Sequence, residues 1–331
     1  MSRTRVAVDA MGGDRAPDEI VAGALRAHDE ADVDVLLVGR EELIRPLLPG
    51  GEPPDGVELL HAGDVIAMHD DPASSVRTRK DASLVRCAEA VRDGRAQAMV
   101  GAGNTGATMA AALLRMGRIK GIARPGIGLL IPRPGMHAQL LVDSGATTDA
   151  DPEWLVQFAA MGATYARIRL GLAEPTIGLL SNGEEPGKGD ELRKKTYALL
   201  EGTPGFVGNV EGRDLMSPRP DVVVTDGFTG NVALKSIEGA VKAVAGLVFG
   251  VLAREDIAEA AQAVMPALLE VAADLDPDAT GGAMLLGVNG VCVISHGSSS
   301  ATAIVNAARV ARDCVAADIV ARLEEAAGRA G

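Results

Sequence analysis

Short runs of β-branched residues alternate along this chain with longer Ala- and Leu-rich stretches of helical period. Such alternation is typical of βαβ units, in which successive parallel strands are joined by helices. The pattern predicts strands at 6–8, 33–38, 57–60, 98–100, 127–131, 140–142, 176–180, 222–225 and 292–294. It predicts helices near 18–30, 41–48, 81–93, 106–116, 152–170, 190–200, 231–250, 254–273 and 301–327. We therefore expect an α/β protein with a mainly parallel sheet.

No linker or low-complexity tract interrupts this pattern in the 331 residues, a length that fits one large α/β unit with an appendage. Residues 1–331 are expected to form that single unit, with the appendage at 236–278, a helical hairpin with little strand character. Amphipathic helices usually pack on a core or on a second subunit, and contact with a membrane surface is the alternative. Residues 250–280 carry one Arg against seven acids, a balance that opposes binding to anionic lipid.

Composition excludes a nucleic-acid partner. One Trp, two Tyr and four Phe, together 2% of the chain, cannot supply the stacking rings that single-stranded nucleic acid needs. The net charge of −13 also opposes DNA or RNA. A small anionic ligand is still compatible with this charge, because a local field need not share the sign of the whole.

Cysteine content and hydropathy indicate the compartment. Cys87, Cys292 and Cys314 are far apart and form no CxxC pair, so they indicate neither a disulfide framework nor a zinc site. The longest uncharged apolar run, 243–253, has 11 residues, whereas a membrane-spanning helix needs about 20. The charge of Asp9 comes too early for a signal peptide. We expect a cytoplasmic protein that is peripheral at most on the inner face of the cell membrane.

Six predicted strands run directly into a polar loop that contains glycine. In a parallel sheet such loops emerge at the carboxyl edge, where α/β proteins bind ligands. One such loop is usually only a turn, but six with polar side chains predict one composite site. The loops occupy 9–14, 101–106, 143–146, 181–184, 226–231 and 295–298.

The loop Gly101-Ala-Gly-Asn-Thr-Gly106 matches the GxGxxG pattern between a predicted strand and a predicted helix. A dinucleotide-binding loop also needs an acidic residue about 20 positions later, and 118–135 contain no Asp or Glu. The glycines still expose N–H groups at a helix N terminus, which favours an anion. The segments 100–106 and 224–230 share the frame Val-x-x-Gly-x-Thr-Gly, which indicates either an internal duplication or chance.

Motifs for covalent acyl transfer are absent. The chain has no GxSxG elbow, and none of the five His belongs to a His-x4-Asp arrangement. His296-Gly-Ser-Ser-Ser is compatible with a phosphate-cradling loop or with a capping turn before the next helix. Loop acids such as Asp9, Asp143 and Asp226 are able to hold Mg²⁺, but such residues more often cap helices, so no metal is expected.

Several cations lie near the loops. Lys80 belongs to the basic run 77–80, Lys188 follows the loop at 181–184, and Lys235 lies one turn beyond the loop at 226–231. A helix N terminus with two or three cations makes a phosphate site, whereas each cation alone would be an ordinary exposed residue. A second basic group, expected to dock an acidic partner by electrostatic steering, consists of Arg115, Arg118, Lys120 and Arg124.

Ordered blocks along nearly the whole chain resemble the bacterial phosphate acyltransferase family, the phosphotransacylases that act on acyl carrier protein. The chain departs from the family pattern at Thr147, Asn182 and Ser300. The blocks that carry the resemblance are Val8-Asp-Ala-Met-Gly-Gly-Asp14, Arg77-Thr-Arg-Lys-Asp81, Gly103-Asn-Thr-Gly106, Gly117-Arg-Ile-Lys-Gly121, Leu155-Val-Gln-Phe-Ala159, Gly183-Glu-Glu185, Lys188-Gly189, Gly208-Asn-Val-Glu211, Asp226-Gly-Phe-Thr-Gly-Asn231, Leu286-Gly-Val-Asn-Gly290 and His296-Gly-Ser-Ser299.

The resemblance implies transfer of a fatty acyl group from acyl carrier protein to inorganic phosphate, giving acyl phosphate for phospholipid synthesis. It implies a homodimer and an α/β/α sandwich like that of phosphotransacetylases and isocitrate dehydrogenases, with no bound nucleotide, cofactor or obligatory metal. A helical hairpin of the family is associated with membrane docking and maps to 236–278. A membrane glycerol-3-phosphate acyltransferase is the expected downstream partner.

This reaction needs no enzyme nucleophile, because phosphate itself attacks and the thioester already has a good leaving group. The expected catalytic residues are Lys188, Asn231 and Lys80. The two lysines would hold phosphate with N–H groups near 103–106 and 296–299, while Asn231 and the 227–230 amides would meet the developing oxyanion. The residues expected to bind phosphate or substrate are Asp9, Gly12, Gly13, Gly103, Asn104, Thr105, Gly106, Asp226, Gly227, Thr229, Gly230, Lys235, His296, Gly297, Ser298 and Ser299.

Three other functions stay open at this point. A phosphate acetyl- or butyryltransferase would perform the same chemistry with coenzyme A as the donor. A nicotinamide dehydrogenase would bind a dinucleotide. A non-catalytic scaffold for lipid synthesis would bind partners without turnover.

Overall fold

The computed structural model describes residues 3–330, apart from the side chains of Pro277, Arg329 and Ala330. Within them lies one sheet of eleven strands. Nine confirm the predicted strands; the pattern does not predict β8, which contains a Gly and an Asn, or β10, which has no β-branched residue. The strands are β1 (Thr4–Asp9), β2 (Val33–Gly39), β3 (Val57–His61), β4 (Ala98–Gly101), β5 (Gly126–Ile131), β6 (Gln139–Val142), β7 (Ile177–Leu180), β8 (Phe206–Val210), β9 (Val222–Val224), β10 (Ala283–Leu286) and β11 (Val291–Ile294).

The sheet consists of two parallel sets that run in opposite directions. Its order is β3-β2-β1-β4-β11-β10-β5-β6-β9-β7-β8. The strands β3, β2, β1, β4 and β11 are mutually parallel, and so are β6, β9, β7 and β8. Between the sets, β10 is antiparallel to both neighbours and β5 is antiparallel to β6. The carboxyl ends of the two sets therefore lie at opposite edges of the sheet.

Helices cover both faces of the sheet. Because successive strand residues point to opposite faces, Val6 and Val8 belong to one core cluster with residues of α1, α6 and α11, whereas Ala7 belongs to another with residues of α4 and α5. The predicted α/β/α sandwich is thereby confirmed. The predicted helix at 301–327 is two helices, because Asp318 adopts a φ of 50°. The helices are α1 (Asp18–Glu30), α2 (Glu41–Ile44), α3 (Pro72–Thr78), α4 (Ser83–Arg92), α5 (Thr105–Arg115), α6 (Pro152–Leu170), α7 (Glu191–Leu200), α8 (Gly227–Leu252), α9 (Ala258–Asp274), α10 (Pro277–Thr280), α11 (Ala301–Ala316) and α12 (Ile319–Ala330).

The appendage expected at 236–278 corresponds to α8 and α9, called here the α8–α9 arm (227–274). It begins earlier than expected because Asp226 already caps α8. In the 26 residues of α8 only Gly227 and Gly230 are buried, and in the 17 residues of α9 only Ala261 is buried. Among the described helices, none alone has the length and apolarity to span a membrane; α8 and α9 reach that threshold only as a pair bent by 77°.

Candidate active site

The six polar loops fall into two groups at opposite edges of the sheet. The first loop group follows β1, β4 and β11 (9–14, 101–106 and 295–300). The second loop group follows β6, β7 and β9 (143–149, 181–190 and 226–231). The expectation that all six share one edge is wrong, because β10 and the β5–β6 pair reverse the strand direction between the two sets. Within one chain, Lys80 lies on the side of the first group and Lys188 and Asn231 lie in the second.

Short contacts hold the first loop group together. The N–H of Asp14 donates to Gly297 O over 2.7 Å. A Cβ on Gly12 would lie 2.8 Å from Asp9 Oδ2 and 3.0 Å from Gly103 N, so only glycine permits this approach. Gly13 has a φ of +111°, which also favours glycine.

Asn104 caps α5 at the centre of this group. Its Oδ1 accepts the N–H of Ala107 over 3.0 Å, and its Nδ2 donates to Met68 O over 3.1 Å. The side chain thereby fixes the 67–70 segment over the helix start. The cap satisfies one of the free N–H groups of the first turn and leaves those of Thr105 and Gly106 without an intrahelical acceptor. A neutral cap beside free N–H groups suits an anion.

The loop after β11 is interpreted from its sequence either as a phosphate-cradling loop or as a capping turn, and the structure assigns capping to one of its residues. Ser300, a departure from the family pattern, caps α11 by accepting the N–H of Ala303 over 3.3 Å. His296 Nδ1 lies 2.7 Å from Ser298 Oγ. The Oγ of Ser299 is buried without a hydrogen-bond partner among the described atoms. Capping therefore belongs to Ser300, and among the preceding residues the hydroxyl of Ser299 is the group without a partner in the described part of the chain.

Asp9 and Lys80 differ in their exposure. Asp9 is 4% exposed, accepts the N–H of Met11 over 3.1 Å, and has its pKa raised by burial. Lys80 is exposed. Its neighbour Arg79 pairs with Asp70 over 2.8 Å and is therefore engaged within the chain. Lys80 is therefore one of the exposed cations on this side of the sheet.

The loop after β6 is built around a buried carboxylate. Asp143 is 0% exposed and accepts the N–H groups of Ile127, Gly145, Ala146 and Thr147 over 2.7–3.1 Å. Its oxygens are thus occupied by the backbone. The loop acids also lie at two opposite edges of the sheet. They therefore do not converge as the ligands of a Mg²⁺ site would have to. No His/Cys/Asp/Glu group suited to a metal occurs among the described residues.

More of the first N–H groups are engaged at the N terminus of α8 than at that of α5. Asp226 Oδ1 accepts the N–H of Thr229 over 2.9 Å, and the N–H of Gly230 bonds to Asp226 O over 2.9 Å. The N–H of Gly227 donates to Thr147 O over 2.7 Å. The expectation that the 227–230 amides meet an oxyanion is therefore corrected for Gly227, Thr229 and Gly230, whose donors are engaged.

The sequence analysis misses Arg193, whose side chain is 8% exposed and forms an ion pair with Asp226. Burial alone would raise the pKa of Asp226, but hydrogen bonds from Thr229 and the charge of Arg193 outweigh it and hold the pKa below its ordinary value. The sequence signal that could have revealed Arg193 is helical periodicity, because Arg193, Thr196 and Leu200 form the buried stripe of α7.

The other cations and amides of the second group lie at the surface. Lys188 is exposed and packs over Gly183, where a Cβ would lie 2.7 Å from its Cγ. Asn231 is exposed and lies against the turn at Gly145, where a Cβ would be 3.7 Å from its Cβ. Lys235 is half exposed and pairs with Glu238 over 2.8 Å, so its role in phosphate binding stays a prediction.

The basic group at 115–124 lies near the second loop group, because α5 carries the chain from one edge to the other. Arg115 is engaged within the chain: it donates to Val76 O over 3.1 Å and lies 3.5 Å from Glu89. Arg124 stacks on Trp154 at 4.9 Å. Arg118 and Lys120 are exposed. Three of the four predicted docking residues, Arg118, Lys120 and Arg124, are therefore exposed.

A cavity of about 510 Å³ opens between the second-group segments, with Arg193, Asp226 and Thr229 in its wall. Another, of about 560 Å³, lies between the β5–β6 connection and the end of the α8–α9 arm. None of the predicted site residues lines the cavity of about 560 Å³.

Residues 4–322 match the model of a family described as fatty acid synthesis protein. The chain is 47% identical over 328 residues to a phosphate acyltransferase of Desulfitobacterium hafniense (strain DSM 10664 / DCB-2), with 97% of each chain covered. It is 46% identical over 325 residues to a phosphate acyltransferase of Geobacillus sp. (strain WCH70), covering 97% of this chain and 98% of the relative. The chain belongs to the phosphate acyltransferase family.

Solved structures confirm the fold expected for a phosphate acyltransferase. A phosphotransacetylase from Streptococcus pyogenes superimposes with a TM-score of 0.64 at 16% identity, over 95% of this chain and 94% of that one. A branched-chain phosphotransacylase from Enterococcus faecalis V583 gives 0.60 at 17% identity, over 94% and 99%. A 4-hydroxythreonine-4-phosphate dehydrogenase from Klebsiella pneumoniae gives 0.52 at 13%, over 95% and 98%.

Proposed function

We propose that the protein transfers a fatty acyl group from acyl carrier protein to inorganic phosphate, which yields acyl phosphate and the free carrier thiol for phospholipid synthesis. A phosphate oxygen attacks the thioester carbonyl, and the thiolate leaves from the tetrahedral intermediate. The observation that carries the proposal is the N terminus of α5, where the N–H groups of Thr105 and Gly106 have no intrahelical acceptor, on the same side of the sheet as Lys80 and the 296–299 loop. The chain is similar over nearly its whole length to phosphate acyltransferases.

The reaction as proposed needs no thiol or hydroxyl nucleophile on the enzyme. All three cysteines are buried, and burial raises the pKa of the Cys292 thiol to about 12, which keeps it protonated and unreactive. Catalysis then rests on holding the dianion against the carbonyl, which contributes about 7–11 kcal/mol, and on oxyanion donors worth about 3–4 kcal/mol each.

Phosphate is assigned to the first loop group, where Lys80 supplies the cation and the N–H groups of Thr105 and Gly106 supply donors. Lys188 and Asn231 stay proposed catalytic residues. Because they lie at the opposite edge of the sheet, we assign them to the site of a second copy in a homodimer. The α8–α9 arm, which exposes Val244, Leu247 and Val251 by 51–72%, supplies apolar surface for such an assembly.

A mixed-dimer experiment tests this arrangement. Lys80→Ala and Lys188→Ala are expected to be nearly inactive alone. If each site combines the first group of one copy with the second group of the other, random mixing restores about a quarter of wild-type activity, since half of the dimers hold one intact site. Mixtures as inactive as their components would refute the shared site. Full activity of Lys188→Ala with unchanged phosphate dependence would remove Lys188 from the mechanism.

The carrier protein is proposed to dock on Arg118, Lys120 and Arg124, whose positive charges attract an acidic partner. The protein is proposed to be cytoplasmic. Contact with a membrane, where a glycerol-3-phosphate acyltransferase would consume the acyl phosphate, would be peripheral through the apolar residues of the α8–α9 arm.

The function itself is tested by incubating the protein with palmitoyl-acyl carrier protein and phosphate, with palmitoyl-CoA in parallel, and trapping acyl phosphate with hydroxylamine. Phosphate-dependent product from the carrier donor is expected. Product mainly from the CoA donor would instead indicate a CoA-dependent phosphotransacylase. Absence of product from both would leave the non-catalytic scaffold.

A further inference from the structure

Arg193 contacts four of the segments near Lys188 and Asn231: the ends of β7 and β9 and the first turns of α7 and α8. Its Nε donates to Leu180 O at the end of β7 over 3.3 Å. Its Nη1 pairs with Asp190, the cap of α7, over 3.0 Å. Its Nη2 donates over 3.0 Å each to Thr225 at the end of β9 and to Thr229 in α8, and it also meets the Asp226 carboxylate.

The loop that carries Lys188 lies directly against Arg193. Gly189, the next residue, has a φ of +92°, and a Cβ there would lie 2.5 Å from Arg193 Cβ. No side chain fits between the two. The backbone beside Lys188 therefore packs against the stem of Arg193, while the guanidinium binds Leu180 O and Asp190 at the two ends of this loop.

The first turn of α8 is set by the same guanidinium. Thr229 and Asp226, which Arg193 holds, lie two and five residues before Asn231 in the sequence. A rigid helical turn transmits their position to Asn231. The segments that carry Lys188 and Asn231 are thus both held by one buried side chain, that of Arg193.

We propose that Arg193 is a positioning residue that fixes the separation between the Lys188 loop and Asn231. The proposal rests on the function proposed above, in which both residues act on the substrate. A purely stabilising role explains the residue less well, because replacing a buried ion pair by apolar side chains is often neutral or favourable. The planar guanidinium of Arg193 instead holds several hydrogen-bond partners in a fixed geometry at once.

A double-mutant cycle between Arg193→Met and Lys188→Ala tests the proposal with the full-length protein. Kinetics are measured at a temperature where circular dichroism shows each variant folded. Misplacement of a substrate-positioning group by about 1 Å costs roughly 100-fold, so Arg193→Met is expected to lower kcat by about 10- to 100-fold. In the Lys188→Ala background the same change is expected to cost clearly less than in the wild type, because only the part that acts through Asn231 remains.

Two variants control for the change of charge. Lys194→Met, on the exposed face of the same helix, removes a cation and is expected to keep wild-type kcat. Arg193→Lys keeps the charge but not the fork, so its kcat is expected to lie between those of wild type and Arg193→Met.

The outcomes separate the two proposals. Independent, multiplying effects of the two substitutions would overturn the positioning role and leave the proposed function intact. Wild-type activity of Lys188→Ala would overturn the role of Lys188 and this proposal together, while acyl phosphate formation by the wild-type protein still tests the function. If Arg193→Met does not fold, Arg193→Met/Asp226→Asn removes both charges, and its effect is measured with and without Lys188→Ala against the same expectation.

Discussion

The first and second loop groups both present a helix N terminus, but they close it with side chains of different charge. At α5 the cap is the neutral amide of Asn104, and the N–H groups of Thr105 and Gly106 have no intrahelical acceptor. At α8 the cap is the carboxylate of Asp226, which is neutralised by the buried Arg193. An anion is attracted to a helix N terminus by its partial positive charge, and a charged cap already uses that attraction. The first group is therefore suited to phosphate, and the second to holding side chains in place.

The shared frame Val-x-x-Gly-x-Thr-Gly conceals this difference. In 100–106 the fifth residue, Asn104, is the cap; in 224–230 the third residue, Asp226, is the cap. The matching letters therefore occupy helix positions that are offset by two residues. Similarity in sequence here does not mean equivalence in structure.

The largest loss of stability is expected from a substitution that removes the cation beside the charged cap. Arg193→Met leaves Asp226 buried without its cation, which is expected to reduce the free energy of unfolding by about 3–5 kcal/mol. Asn104→Ala removes a neutral cap and is expected to cost about 1 kcal/mol. Urea denaturation of both variants measures the difference. Equal losses would show that the two termini are held in the same way.

The next effect concerns phosphate and is measured by activity. Asn104→Asp places a carboxylate beside the N–H groups of Thr105 and Gly106, and its charge repels the dianion. Loss of productive phosphate contacts is expected to lower kcat/KM for phosphate on the order of 100-fold. Asn104→Ser, a neutral cap, is the matched control and should keep most of the activity. A similar loss in both variants would mean that capping, rather than charge, is what matters.

Much of the architecture follows from the sequence pattern, because strands buried on both sides and helices with one apolar face have distinct periods. The direction of each strand does not follow from it. β10 is a short apolar segment, Ala283–Leu286, whose pattern is the same whether its neighbours are parallel or antiparallel. This strand and the β5–β6 turn decide on which edge each loop emerges, so the residues of the site are predictable but their grouping is not.

The partners of individual side chains could not be predicted from the sequence for a similar reason. Nothing in the sequence distinguishes Arg115, which is engaged with Val76 and Glu89, from the exposed Arg118. Likewise the role of Arg193 depends on contacts with residues 32 to 36 positions away. Long-range pairing of this kind depends on the tertiary structure rather than on local preference.

The acid stability of the two groups should also differ. The pKa of Asp226 is held below its ordinary value, since hydrogen bonds from Thr229 and the charge of Arg193 outweigh burial. Its contribution to stability is therefore present above the unfolded pKa of about 3.9 and is lost as the pH falls through the folded pKa. The difference in unfolding free energy between wild type and Asp226→Asn is expected to be largest above pH 4 and to shrink below it. A constant difference would contradict the assigned role of the charge.

Asp9, in the first group, should show the opposite sign and the smallest effect. Burial raises its pKa in the folded state. As the pH rises from the unfolded pKa of about 3.9 through the higher folded pKa, ionising Asp9 costs stability in the native state. Asp9→Asn lacks this cost, so its unfolding free energy relative to wild type is expected to rise between pH 4 and pH 8. Asp14→Asn, an exposed carboxylate of the same loop, is the control for overall charge. If both variants drift alike, the effect belongs to the net charge of the protein, and the buried acid of the first group would be no different from its surface neighbour.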